Sequence, residues 1–128
     1  MKLTLVRGLP GSGKTTLARK LAAESGSLHF EADMYIEAKG NYQQRVTQPG
    51  VLKRAQNWCR QMTENALRTG QNVVVSNTFT THSEMYPYRR LAKTYGAQLE
   101  VVVCRGTYGS VHRVPAMVFA RMRARWEE

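Results

Sequence analysis

Eight residues near the start of the chain, Gly8 to Thr15 (GLPGSGKT), fill every fixed position of the pattern G-x-x-x-x-G-K-[ST]. That pattern constrains the fold before it says anything about chemistry. It works only between a strand and a helix: its glycines let the backbone curl so that successive N–H groups converge, and the helix that follows adds its unpaired amide donors and the positive end of its dipole. Both flanks comply. KLTLV ahead of the loop is a β-rich run, and KTTLARKLAAES behind it carries Leu17, Ala18, Leu21 and Ala22 at helical spacing.

The remainder alternates in the same way. SLHFEA reads as a second strand, and EAKGNYQQRVTQPG as an irregular polar excursion closed by Pro49 and Gly50. Leu52, Ala55, Cys59, Met62 and Ala66 fall on one face of a helix from about residue 50 to 69. NVVVSN is a continuous apolar strand of the kind covered on both faces. SEMYPYRRLAKTYG is a helix stopped by Gly96, QLEVVVC a fourth strand, and PAMVFARMRARWEE a closing helix with Pro115 suited to its first turn and Val118, Met122 and Trp126 as its packed stripe. Strands alternating with helices predict a three-layer α/β domain with a small, mostly parallel sheet of about four strands. At 128 residues the chain has room for one core, so residues 1–128 are expected to form a single domain.

A converging set of amides followed by a lysine and a hydroxyl is a phosphate cradle. Gly8, Pro10, Gly11, Ser12, Gly13, Lys14, Thr15 and Thr16 are the expected nucleotide-binding residues. Lys14 reaches the β and γ phosphates as a point charge, the Thr15 hydroxyl ligates the bridging Mg²⁺, and Thr16 supports the α-phosphate. The implied ligands are ATP and Mg²⁺. Asp33, the only aspartate in the chain, follows the second strand. In a parallel α/β sheet the carboxyl ends of the strands form the ligand crevice, which puts Asp33 on the rim shared with the phosphate loop. A carboxylate there can take a proton from an attacking hydroxyl or hold water around the metal. A helix or turn cap is the plainer reading, and the residues alone leave the three open.

Composition removes other classes. The apolar runs are far shorter than the roughly 20 residues of a bilayer-spanning helix, so no membrane association is expected. MKLTLVRG lacks the apolar core of a secretory leader, and Cys59 and Cys104 make no disulfide framework, which points to a reducing cytoplasm. Neither the cysteines nor the three histidines have metal-ligand spacing. A formal charge of +10, carried mostly beyond residue 43, suits a polyanionic partner, although a merely soluble surface would look the same.

The stretches GLPGSGKTT, EADMY, VVVSNT, RRLAKTYGAQLEVVV and VPAMVFARMRARW occur in the order and near the spacing of the polynucleotide kinase-like branch of P-loop phosphotransferases. Over essentially its whole length the chain resembles the small bacterial and bacteriophage AAA-type ATP-binding proteins of that branch, and is similar to the kinase half of phage polynucleotide 5′-kinase. The resemblance implies an ATP-dependent kinase acting on nucleic-acid 5′ ends, DNA or RNA, with Asp33 as general base. It also marks departures. Ile36 stands where the phage kinase has an arginine that engages the substrate end, and Ser76 and Asn77 stand where relatives carry an acidic residue after strand three. Asp33 is then expected to serve both acceptor and metal. The lid that normally supplies arginines is shortened to RGTYGSVHRVP, with Arg113 as the first lid candidate and Arg105 the second.

For the acceptor, Tyr42, Gln43, Gln44, Arg45, Lys53 and Arg54 could stack on a base and neutralise phosphates, whereas Trp58 reads as core. Fold and phosphate loop do not choose the acceptor. A kinase for a nucleoside, sugar or nucleotide-sugar, and a nucleotide-dependent binding module with weak catalysis, remain alongside the polynucleotide kinase.

Overall fold

The computed structural model describes residues 1–109 and 114–128. Its strands β1 (Lys2–Gly8), β2 (Leu28–Phe30), β3 (Val73–Asn77) and β4 (Gln98–Cys104) form one sheet in the order β2-β3-β1-β4, and every pairing is parallel. The helices are α1 (Lys14–Ser25), α2 (Ala32–Glu37), α3 (Tyr42–Arg45), α4 (Val51–Arg68), α5 (His82–Tyr95) and α6 (Ala116–Arg125).

Period-two alternation assigns the faces. Leu3 and Leu5 of β1 and Val73 and Val75 of β3 point into a core shared with α2, α4 and α5, where Ile36, Ala55, Cys59, Leu67, Met85 and Ala92 are buried. Val6 and Val74 point the other way, onto Ala18 and Ala22 of α1. With both faces covered, β3 is buried along its whole length, as a continuous apolar strand should be. Among the described residues no helix is long and apolar enough to cross a membrane.

Several expectations need correction. The second strand is only three residues long, because Glu31 already starts the turn into α2, so Asp33 lies in the first turn of a helix rather than at a strand end. The polar excursion contains a short helical turn, α3. Leu52 is 58% exposed: it sits a quarter-turn off the buried stripe of Val51, Ala55, Cys59 and Ala66. The closing helix does not pack a stripe. α6 has no buried residue, Val118 is exposed, and the helix ends before Trp126, which turns back onto β1 instead.

Candidate active site

The phosphate loop runs from the end of β1 to the start of α1. Gly11 (φ 81°) and Gly13 (φ 88°) occupy the left-handed region, where any other residue is strained. A Cβ on Gly8 would collide with Ser12 Oγ, so the loop is closed tightly around its own backbone. Ser12 is buried, and its hydroxyl has no hydrogen-bond partner among the described residues. An orphaned polar atom inside a cradle that leaves no room for side chains fits a phosphate group. Gly8 N–H donates to Thr78 O at 3.3 Å, which ties the loop to the end of β3. After β4 the chain returns over the loop: Tyr108 N–H donates to Gly11 O at 2.7 Å, and the Tyr108 ring lies against Gly13 and Gly106.

Lys14 stands where the loop becomes helix. Burial lowers its pKa, while the negative charges of Asp33 and Glu31 act in the opposite direction. The ammonium therefore has both rim carboxylates within electrostatic reach. Asp33 Oδ1 accepts a hydrogen bond from Tyr42 Oη at 2.9 Å, so the excursion beyond α2 folds back onto the carboxylate. The Tyr42 phenol is held well above its ordinary range by burial first and by Asp33 second.

Glu31 is the residue that the sequence did not single out. Its Oε2 accepts from Thr15 Oγ1 at 2.6 Å and from Ser76 Oγ at 2.6 Å. Since the Ser76 hydroxyl proton goes to the carboxylate, its contact with His29 Nε2 at 3.1 Å has the imidazole as donor, with its proton on Nε2. Burial lowers the His29 pKa, in keeping with a neutral ring. The available signal was positional: Glu31 follows β2 directly, beside a β3 terminus that carries no acid. Asn77, at the position where the resemblance leads one to expect an acid, has a structural task. Its Oδ1 accepts from Ala32 N–H at 3.0 Å and its amide contacts Cys59 Sγ at 3.7 Å, which fixes the start of α2.

The joined oxygens of Thr15, Glu31 and Ser76 are hard donors that include a carboxylate, which suits Mg²⁺, whereas the expected metal partner Asp33 is hydrogen-bonded to Tyr42. No group of three or more His, Cys, Asp or Glu that could cage a metal exists among the described residues, and Mg²⁺ on a nucleotide does not need one.

Of the expected acceptor residues, Arg45 donates to Gly40 O at 2.7 Å and is occupied locally. Trp58 packs against the core with Phe30 and Tyr35, each ring centroid 6.2 Å away. A cleft of about 280 Å³ opens beyond the end of β3, between α4 and α5, lined by Gln56, Asn57, Arg60, Asn77, Glu84 and Tyr88 among others. Arg113 lies outside the described residues. Arg105 faces the chain terminus and pairs with both carboxylate oxygens of Glu128.

Residues 3–107 match the profile of the AAA domain family. NEDD4-binding protein 2 of Homo sapiens is 34% identical over 95 residues, which make up 73% of this chain and 5% of that protein. A protein described as a candidate kinase from Chloroflexus aurantiacus j-10-fl superposes with a TM-score of 0.69 at 22% identity, over 80% of this chain and 58% of its own. For a gluconokinase from Sinorhizobium meliloti 1021 the values are 0.67, 16%, 99% and 75%. For a chain of the Pnkp1/Rnl/Hen1 complex they are 0.68, 18%, 94% and 38%. The chain thus spans a small part of the curated relative and little over half of the first of these structures. At such identities the likeness is one of fold, a small α/β domain with an all-parallel sheet of the P-loop kinase type.

Proposed function

From the premise that this chain belongs to the AAA domain family, we propose that it is an ATP-dependent phosphotransferase whose acceptor is a polynucleotide 5′-hydroxyl, with residues 1–128 working as one domain. The observation that carries the proposal is the glycine cradle that closes on the unpartnered Ser12 hydroxyl and leads directly into Lys14 and Thr15, with the Thr15 hydroxyl bonded to the Glu31 carboxylate.

In this reading the amides of Gly11 to Lys14 and the Lys14 ammonium hold the β and γ phosphates. Thr15 and a rim carboxylate would hold Mg²⁺, which would supply neutralisation of charge on the phosphate oxygens. Asp33 accepts the proton of the acceptor hydroxyl as its oxygen forms a bond to the γ-phosphorus. The bond between that phosphorus and the β–γ bridging oxygen breaks, and ADP leaves with the electron pair. Arg113, or Arg105 once released from Glu128, supplies positive charge to the phosphoryl group in flight.

The polynucleotide acceptor is favoured by the +10 charge and by the fold shared with a chain of the Pnkp1/Rnl/Hen1 complex. A small polar acceptor is the second reading, favoured by the amide-lined cleft beyond β3 and by the likeness to a gluconokinase. Transfer of label from γ-labelled ATP to 5′-hydroxyl DNA, RNA, nucleosides and sugars, repeated across salt concentrations, decides between them. The polynucleotide reading requires transfer to oligonucleotides that weakens steeply with salt. Label appearing only on a nucleoside or sugar would replace it with the second.

A further inference from the structure

Metal and acceptor both need a carboxylate at this site, and the rim of the sheet offers two. We propose that Glu31, the residue between β2 and α2, is the group that fixes the divalent cation, with Thr15 and Ser76 as its hydroxyl partners, and that Asp33 is left to the acceptor. The inference rests on the phosphotransferase reading above and corrects the expectation that Asp33 must serve both roles.

Three observations converge on it. First, the position where P-loop enzymes commonly carry a metal-holding aspartate, the end of the strand beside β1, here has Ser76 and Asn77. Asn77 is committed to Ala32 and Cys59, and Ser76 has no charge to give. Second, β2 pairs in parallel with β3, so the chain leaving β2 reaches the same rim one strand further out, and the Glu31 side chain spans the gap. Its Oε2 meets the Ser76 hydroxyl at the end of β3 and the Thr15 hydroxyl of the phosphate loop, each at 2.6 Å. A negative charge is thus delivered to the place that β3 leaves neutral.

Third, the local structural use of this side chain is not taken up. Glu31 occupies the N-cap position of α2 yet makes no side-chain cap hydrogen bond. Its carboxylate turns away from the helix it begins and toward the phosphate loop, at 13% side-chain exposure. Short hydroxyl-to-carboxylate bonds of this kind are charge-assisted and hold both partners in orientation. Asp33 faces differently, onto Tyr42 and the excursion that follows α2. The two carboxylates are two residues apart in sequence and are anchored to different elements.

The test uses Mn²⁺ as the cation and a non-hydrolysable ATP analogue, with free Mn²⁺ counted by electron paramagnetic resonance. Glu31→Gln is expected to weaken Mn²⁺ affinity of the protein–analogue complex by about 10 to 100-fold, the range for losing a group that supports a metal ligand. Analogue affinity in EDTA should be unchanged or higher, because a negative charge near the triphosphate is gone. Asp33→Asn should retain wild-type Mn²⁺ affinity. Ser76→Ala, which removes only the bond that aims the carboxylate, should show a smaller loss of the same sign and serves as the test if Glu31→Gln does not fold. Wild-type Mn²⁺ affinity in Glu31→Gln, or in Ser76→Ala where it stands in, overturns the proposal; so does an equal loss in Asp33→Asn. Wild-type protein that fails to bind the analogue even in EDTA would instead sink the phosphotransferase reading itself.

Discussion

The guanidinium carbon of Arg7 lies 4.1 Å from the ring centroid of Trp126, which brings the last residues of the chain onto the end of β1. Arg7 is 1% exposed. It donates to Phe79 O at 2.9 and 2.7 Å, to Thr80 O at 3.3 Å and to Glu127 O at 2.6 Å. Carbonyl dipoles and an aromatic face, not a contacting carboxylate, hold this buried cation. Burial lowers its pKa, and the more distant charges of Glu128 and Glu127 counter that. Arg7→Ala should destabilise by about 3 kcal/mol or more, since it leaves several buried carbonyls without donors. Trp126→Ala should cost about 1–2 kcal/mol through the lost cation–π contact. Urea unfolding checks both, and equal stability of Arg7→Ala and wild type would refute the first.

Lys14→Ala should abolish the rise in melting temperature that ATP produces, because the β and γ phosphates lose their fixed cation. The comparison is a thermal melt with and without ATP. A shift as large as in wild type would remove Lys14 from the nucleotide site.

Asp33→Asn should keep ATP affinity and lower phosphoryl transfer by about 10² to 10⁴-fold, the range for loss of a general base. Single-turnover transfer beside an ATP titration separates the two effects. Full transfer would make Asp33 a structural partner of Tyr42 alone.

Arg105 and Glu128 make an exposed pair whose acid titration gives a direct readout. Hydrogen bonding to Arg105 holds the Glu128 carboxyl at about 2, below its ordinary 4.5. A depressed carboxylate adds stability above its unfolded pKa and loses it as pH falls through the folded value, so docking of the terminus should weaken between about 4.5 and 2. Trp126 Nε1 donates to Glu128 Oε1 at 3.1 Å and can report the change. In a Trp58→Phe background, Trp126 emission should titrate near the lower value, and in Arg105→Ala near the ordinary one. A common midpoint in both proteins would contradict the pairing.

What the amino-acid sequence determined by itself was local. The tight loop from Gly8 to Thr15 between β1 and α1 is legible because its glycines act within eight consecutive residues, and β3 because a run of valines bounded by turn residues suits a sheet interior. Asp33 was found as the lone aspartate near a strand end. Its neighbour Glu31 was not, because its partners Thr15 and Ser76 lie 16 and 45 positions away and meet it only once β2 pairs with β3. Arg7 was unremarkable within an apolar strand until the chain terminus folded onto it, 120 residues later. The apolar positions of α6 suggested packing, but periodicity states only that a helix has a face, not that anything covers it. Spacing along the chain fixes backbone geometry and the residues within one turn or loop. Strand order and terminus docking decide which distant charges share a site, and those are settled by burial of the whole sheet.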